Sequence, residues 1–214
     1  MKKHIVCLGD SNTHGYCADP TDCADGGDRF NEDERWTCLL QKKLGEEYLV
    51  IEEGLSGRTT VFSDPLHECM SGLDAIYSCL MSHEPVDLLI IMLGTNDCKE
   101  RLGQNACCIG IGMERLVMKA KSIECWRNGK PNILVIAPPH MKEGFHDEAM
   151  GLCCVEKSKD VARYFKEKCA LRKVAFLDAE GVAEFNTVDF THLSRRGHEQ
   201  LSAKLAEIVP GLLG

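Results

Sequence analysis

The chain has 214 residues, of which 44% are hydrophobic and 27% are charged. This composition is typical of a globular protein and excludes an intrinsically disordered chain. The formal net charge of -8 disfavours nucleic acid and anionic membrane surfaces as partners, because both are polyanions that attract clustered lysine and arginine.

The sequence also lacks the signals of export and of membrane insertion. The apolar run Ile5 to Leu8 is too short for the core of a secretory signal, and no run approaches the roughly 20 apolar residues of a membrane span. We therefore expect a cytoplasmic protein. Its 13 cysteines include no Cys-x-x-Cys pair, so we expect reduced thiols, most of them small buried apolar residues, and no bound metal.

Five short apolar runs predict β-strands, and the segments between them have the length of crossover helices. The runs do not alternate with polar residues, which is typical of parallel strands covered on both faces. The predicted strands are Ile5 to Leu8, Tyr48 to Ile51, Leu88 to Leu93, Ile133 to Ala137 and Val174 to Leu177. The predicted helices lie in residues 35–45, 66–83, 111–127 and 151–170, and in a last helix that begins near Ser194 and that Pro210-Gly211 is expected to end.

Strand and helix alternate through residues 1–214 without a break in composition. This alternation predicts a single doubly wound α/β domain with right-handed crossovers. Only residues 17–34 depart from it, because they are polar, acidic and rich in glycine. We interpret them as a solvated surface loop. The loop fits a calcium site poorly, since such a site needs oxygen ligands at alternate positions.

Polar residues follow the predicted strands, at the edge where open α/β sheets bind ligands. Ser11 follows the first strand in Gly-Asp-Ser-Asn, and a serine hydroxyl needs a general base to act as a nucleophile. His192 is the candidate base, and Asp189, three positions earlier, can orient its imidazole. We interpret Ser11, His192 and Asp189 as a catalytic group for acyl transfer.

Acyl transfer also requires donors for an oxyanion. The candidates are the backbone N–H groups of Ser11 and Gly54 and the side-chain amide of Asn96. We interpret Asp10 as a brace for the turn before Ser11, and Asp97 as a hydrogen-bond partner of loop backbone. Four further residues are candidate pocket residues for the substrate: His140, Tyr16, Phe62 and Phe190.

These blocks resemble the SGNH hydrolases, also called GDSL esterases and lipases, whose four blocks contribute Ser, Gly, Asn and His in that order. The matching residues are Ser11, Gly54, Asn96 and His192, which span most of the chain. The resemblance implies a flavodoxin-like three-layer α/β/α fold with a five-stranded parallel sheet, an acyl-enzyme on Ser11 and no cofactor. Position 12 is Asn where the family name has Leu, and we attach little meaning to this difference.

The stretch from Glu52 to Thr60 and the helix start at Arg35-Trp36 are similar to the arylesterase and acyltransferase branch of that family. This branch acts on small acyl esters and includes oligomeric enzymes. The resemblance therefore implies a small-molecule ester as substrate and makes a homo-oligomer an expectation. The main prediction is a serine esterase for short acyl or aryl esters, with acyl transfer to another alcohol as an additional activity.

Other functions stay open on the sequence alone. The same site could take an acyl-CoA, a lysophospholipid or an acetylated sugar, although the acidic residues 17–34 disfavour the polyanionic CoA esters. A catalytically silent binding module is an alternative of another class, and the intact Ser11, Asp189 and His192 speak against it. A metallohydrolase would use oxygen and nitrogen ligands, and its candidates are Asp10, Asp97, Asp189 and His192.

Overall fold

The computed structural model describes all residues from Met1 to Gly214, and strands alternate with helices along the chain. The strands are β1 (Lys3–Gly9), β2 (Tyr48–Gly54), β3 (Leu88–Met92), β4 (Ile133–Ala137) and β5 (Ala175–Asp178). The helices are α1 (Ser11–His14), α2 (Trp36–Leu44), α3 (Gly72–Ser82), α4 (Ala106–Lys121), α5 (Cys154–Arg172) and α6 (Arg195–Leu213). Two short 3-10 turns, Asn96–Cys98 and Glu100–Leu102, follow β3.

The five strands form one parallel sheet in the order β2-β1-β3-β4-β5. The first strand, β1, therefore lies inside the sheet. β2 pairs with one side of β1, and β3, β4 and β5 follow on the opposite side. Gly9 at the end of β1 is in register with Gly54 of β2 and with Met92 of β3. The loops after these three strands consequently meet at one edge, where the strand order reverses. This topology confirms the predicted flavodoxin-like fold.

Helices cover both faces of the sheet. α3, α4 and α5 contribute Ile76, Ile109 and Phe165 to the core on one face, and α2 and α6 contribute Trp36 and Leu201 to the core on the other. Every residue of β3 and β4 is buried, which explains why these strands are continuous apolar runs. None of the helices combines the length and the apolar character that crossing a membrane would require.

Several predicted helix boundaries are wrong, and the helix predicted over residues 111–127 is displaced at both ends, to Ala106–Lys121. The helix predicted from residue 66 begins only at Gly72, because the Asp64 carboxylate accepts the Leu66 amide and holds the chain in a turn. The last helix does not end at Pro210 but runs through it to Leu213. A proline this close to the helix end removes a backbone donor from the final turn only, so the interruption is small.

Residues 17–34 are less solvated than predicted. Cys17, Cys23 and Phe30 are each at most 5% exposed and form a small apolar cluster of their own. Glu34 is also buried, and its carboxylate accepts two backbone amides of the segment. The acidic composition is therefore partly used to hold the loop backbone in place, which corrects the interpretation of a simple surface loop.

All 13 cysteines are free thiols, and eight of them are buried, as predicted. Burial raises the pKa of the Cys7 and Cys98 thiols well above the ordinary range. A thiol with a raised pKa carries little thiolate and reacts slowly. These two cysteines act as small core residues.

Candidate active site

The three side chains predicted to act together are joined by hydrogen bonds at the carboxyl edge of the sheet. His192 Nε2 lies 2.8 Å from Ser11 Oγ, although the two residues are 181 positions apart. His192 Nδ1 lies 2.6 Å from Asp189 Oδ2. The carboxylate favours a proton on Nδ1, which leaves the Nε2 lone pair directed at the Ser11 hydroxyl.

Ser11 is the first residue of α1, immediately after the turn that leaves β1. The Asp10 carboxylate caps this helix by accepting the Asn12 amide at 3.0 Å, as its predicted bracing role requires. The turn is so tight that a Cβ at Gly9 would lie 2.0 Å from the Thr13 hydroxyl. Because Ser11 opens the helix, its own N–H has no acceptor within the helix and is free for a ligand.

Asp189 holds the loop that carries the base. Its Oδ1 accepts the backbone amides of Thr191 and His192, both at 3.1 Å, and the Asn186 side-chain amide at 2.9 Å. Burial raises the pKa of Asp189. The hydrogen bond from His192, the charge of His192 and the other donors lower this pKa by more than burial raises it, to about 2. Asp189 is therefore ionised wherever a histidine titrates.

The three predicted oxyanion donors sit at the ends of neighbouring strands. Asn96 opens the 3-10 turn after β3, and its Nδ2 lies 3.2 Å from the Arg58 carbonyl oxygen and 3.5 Å from Asp10 Oδ2. Gly54 ends β2 and lies against the backbone of α1, since a Cβ there would be 2.2 Å from a backbone nitrogen. Ser11 and Asn96 line the same cavity, whereas the predicted donor Gly54 does not, and Gly57 of the following turn does.

Asn12 connects the serine turn to the histidine loop. Its Nδ2 donates to the Thr191 carbonyl at 3.2 Å, and its Oδ1 accepts the Leu193 amide at 2.8 Å. The Asn12 side chain therefore holds the backbone on both sides of His192, and the residue is only 1% exposed. Position 12, to which we attached little meaning from the sequence, therefore has a clear structural role, which corrects that interpretation. The sequence shows an amide side chain directly after Ser11, but it does not show the partners of this side chain, because Thr191 and Leu193 are distant along the chain.

Charged residues are also buried beneath the site. Burial raises the pKa of both Asp10 and Asp97 to about 6. Asp97 accepts the backbone amide of Thr60 at 3.0 Å, which confirms its predicted contact with loop backbone. Arg58 donates to two backbone carbonyls at the ends of β1 and β2. The candidate metal ligands do not assemble, because no group of three or more His, Cys, Asp or Glu side chains is arranged to hold a metal ion.

A cavity of about 390 Å³ opens beside Ser11, Asn96 and His192. The predicted pocket residue Tyr16 forms part of its wall, and the Tyr16 ring packs against the His192 ring with 4.6 Å between centroids. The wall also carries charged groups that were not predicted from the sequence, Lys99 among them. The cavity is of a size suited to a small substrate.

The other three predicted pocket residues lie elsewhere. His140 follows β4, and its Nδ1 lies 3.0 Å from Glu180. Phe62 packs on the core and touches α4, where a Cβ at Gly112 would meet its ring at 3.2 Å. Phe190 has a φ of +59°, and its ring packs on a neighbouring loop. Being close to a strand end or to the base in sequence did not direct these side chains into the cavity.

Comparison with known proteins agrees with this arrangement. A three-layer α/β fold with Ser, Gly and Asn at the ends of its strands and His in the loop before its last helix is the architecture of the SGNH hydrolases. The sequence profile of the GDSL-like lipase/acylhydrolase family matches residues 7–200, and the chain belongs to this family. No curated protein sequence matches the chain significantly.

Solved structures give the same result. An aryl esterase from M. smegmatis is 36% identical, with a TM-score of 0.89 over 99% of this chain and 100% of the other. A carbohydrate acetylesterase from Sinorhizobium meliloti is 32% identical, with a TM-score of 0.89 over 99% of this chain and 100% of the other. A lipase/acylhydrolase from Enterococcus faecalis is 21% identical, with a TM-score of 0.70 over 98% of this chain and 96% of the other, and resembles this chain in fold alone.

Proposed function

We propose that this chain is a serine esterase that hydrolyses small carboxylic esters through an acyl-enzyme on Ser11. The observation that carries the proposal is the continuous line of hydrogen bonds from Ser11 Oγ through His192 to Asp189. The similarity to an aryl esterase and to a carbohydrate acetylesterase supports an ester as the bond that is cleaved.

In the first half-reaction, the Ser11 oxygen attacks the ester carbonyl carbon while His192 Nε2 takes the hydroxyl proton. The ionised Asp189 stabilises the imidazolium that forms. The N–H group of Ser11 and the side-chain amide of Asn96, which both line the cavity, donate to the oxyanion of the tetrahedral intermediate. The carbon–oxygen bond to the alcohol then breaks, and the alcohol leaves with the proton from His192.

In the second half-reaction, a water molecule attacks the acyl-enzyme. His192 takes a proton from this water, and the same donors stabilise the second oxyanion. The bond between the acyl carbon and the Ser11 oxygen breaks, the carboxylic acid is released, and the proton returns to Ser11. An alcohol in place of the water would give acyl transfer by the same steps.

The size of the cavity favours short acyl groups. The two similar proteins differ in substrate class, since one is an aryl esterase and the other a carbohydrate acetylesterase. A panel of aryl esters with increasing acyl length, together with an acetylated sugar, separates these substrate classes by kcat/KM. An inactive wild-type protein across the whole panel would support the silent binding module instead.

The direct kinetic test replaces Ser11 by alanine. Ser11→Ala should lower kcat for an aryl acetate by several orders of magnitude, as loss of a catalytic nucleophile does. Ser78→Ala is the matched control, because Ser78 lies exposed on α3 and its hydroxyl contacts only the Ala75 carbonyl at 3.1 Å. Undiminished turnover by a folded Ser11→Ala protein would refute the proposal.

A further inference from the structure

The cavity beside Ser11 contains a buried ammonium group that the proposed reaction does not use. Lys99 lines this cavity, yet its side chain is only 6% exposed. Its backbone amide donates to the Asn96 carbonyl at 3.3 Å, so Lys99 belongs to the same turn as the proposed oxyanion donor. A charged side chain is seldom buried unless it is paired and hydrogen-bonded.

The protein partner of this ammonium is shared with another cation. Lys99 Nζ lies 2.9 Å from Asp64 Oδ2. Arg101 binds the same carboxylate with two bonds, Nε to Oδ1 at 2.9 Å and Nη2 to Oδ2 at 2.7 Å. The Leu66 amide also donates to Oδ1, at 3.0 Å. Asp64 therefore has its acceptor positions filled and serves two cations at once.

Lys99 consequently keeps donors for a ligand. An ammonium group has three N–H donors, and Asp64 is the one hydrogen-bond partner of Lys99 Nζ in the protein. Because Lys99 lines the cavity, its remaining N–H groups can donate hydrogen bonds to an acceptor oxygen of a bound molecule. A carboxylate is the strongest such acceptor among common organic groups, since its bond to an ammonium is charge-assisted.

The surrounding charges limit how many negative charges the ligand can carry. Arg101 and Asp147 also line the cavity, and the Asp147 Oδ1 accepts two backbone amides of its own turn. His67 Nδ1 lies 3.5 Å from Asp64. The positive charges of Lys99 and Arg101 are therefore balanced by the carboxylates of Asp64 and Asp147. The whole chain carries a net charge of -8. These charges favour a ligand with a single carboxylate over a polyanion.

We propose that Lys99 forms a subsite for one carboxylate in the non-reacting part of the substrate. The preferred esters are then small monoanions, such as half-esters of short dicarboxylic acids. This inference rests on the proposed function and adds to it the class of acyl group that the site selects.

The kinetic test compares two matched aryl esters, the aryl half-ester of succinic acid and the same ester with its carboxylate capped as a methyl ester. The wild-type kcat/KM should favour the half-ester about tenfold, the value of one charge-assisted hydrogen bond. Lys99→Met should abolish this preference, and Lys99→Arg should keep most of it. Lys142→Met is the control, because Lys142 pairs with Glu180 outside the cavity and should keep the wild-type ratio.

A binding measurement tests the subsite without turnover. Calorimetry in the Ser11→Ala background should give a Kd for monomethyl succinate that Lys99→Met weakens about tenfold. An equal Kd in both proteins would overturn the subsite even if the esterase activity stands. If neither ester is hydrolysed, the proposed function is overturned. Binding that depends on Lys99 would still support the subsite in that case.

The kinetic comparison also has an outcome that points to another ligand class. If Lys99→Met lowers kcat/KM for the capped ester or for an acetylated sugar as much as for the half-ester, Lys99 serves acceptor oxygens in general. That result would overturn the carboxylate assignment. Thermal melts of Lys99→Met and Lys99→Arg show that each variant compared is folded.

Discussion

Asn12 links the nucleophile to the base without taking part in the chemistry. It directly follows Ser11 in sequence, and its amide bonds the backbone of Thr191 and Leu193 on either side of His192. The 2.8 Å contact between Ser11 and His192 therefore depends on a side chain that touches neither of their reacting atoms. Asn12 is a positioning residue.

Replacing Asn12 by leucine should lower kcat for an aryl acetate by about tenfold or more, since small misplacement of catalytic groups is costly. KM should change little, because Asn12 does not line the cavity. Asn12→Asp should restore part of kcat, since its carboxylate can still accept the Leu193 amide. Steady-state kinetics measure this split between kcat and KM.

The control for this prediction is a variant that loses stability elsewhere. Val209→Ala removes buried apolar volume from α6 and should lower the melting temperature without lowering kcat. If Asn12→Leu and Val209→Ala behave alike in kcat and in stability, Asn12 has a structural role only.

Among the secondary-structure elements, the short helix α1 matters most for the site. It carries Ser11 on its first turn and lies across the end of β2 at Gly54. A Cβ at Gly54 would lie 2.2 Å from the His14 nitrogen and 2.8 Å from its Cα. These are backbone atoms, so a side chain at this position can be accommodated only if α1 and β2 move apart.

Gly54→Ala should therefore destabilise the protein by roughly 1–3 kcal/mol and lower kcat by about a hundredfold through displacement of Ser11. Chemical denaturation and steady-state kinetics measure the two effects. Gly211→Ala in α6 is the matched control, because no atom lies within 4 Å of a Cβ there. It should leave kcat unchanged and should not destabilise the protein, since alanine favours a helix more than glycine does. Wild-type kcat in Gly54→Ala would show that the close contact between α1 and β2 is dispensable.

The elements that bury continuous apolar runs were the ones the sequence predicted best. β3 and β4 are buried along their whole length, so their composition alone indicates central parallel strands. Ser11, Asp189 and His192 were also predictable, because each follows a strand or turn in a recognisable block. The roles of Asn12 and Lys99 were not, since both depend on partners brought close only by the tertiary fold.

At the scale of the whole molecule, the site rests on buried acidic groups whose protonation is linked to folding. Burial raises the pKa of Asp97 from its ordinary value of 3.8, the Thr60 hydrogen bonds lower it and the nearby charge of Asp10 raises it, and the result of these effects is a pKa of about 6. Between these two pH values the folded protein holds a proton that the unfolded chain has released. Folding is therefore favoured at the acidic end of this window.

Replacing Asp97 by asparagine should remove this dependence on pH. The melting temperature of the wild-type protein, relative to Asp97→Asn, should fall as the pH rises from 3.8 to about 6 and change little above pH 7. Calorimetric melts of both proteins across this range measure the difference. A difference that is constant, or that rises with pH, would show that Asp97 is not protonated in the folded state.

The central claim, that Ser11 is the nucleophile of an esterase, is tested most directly by an organophosphonate that forms a stable bond with an activated serine oxygen. Peptide mass mapping should locate one phosphonyl group on Ser11, with loss of ester hydrolysis in proportion to labelling. Ser56 lines the same cavity, but its hydroxyl has no hydrogen bond to a histidine, and it should stay unmodified. Labelling of Ser56 in place of Ser11, or full activity in a protein labelled at Ser11, would contradict the account.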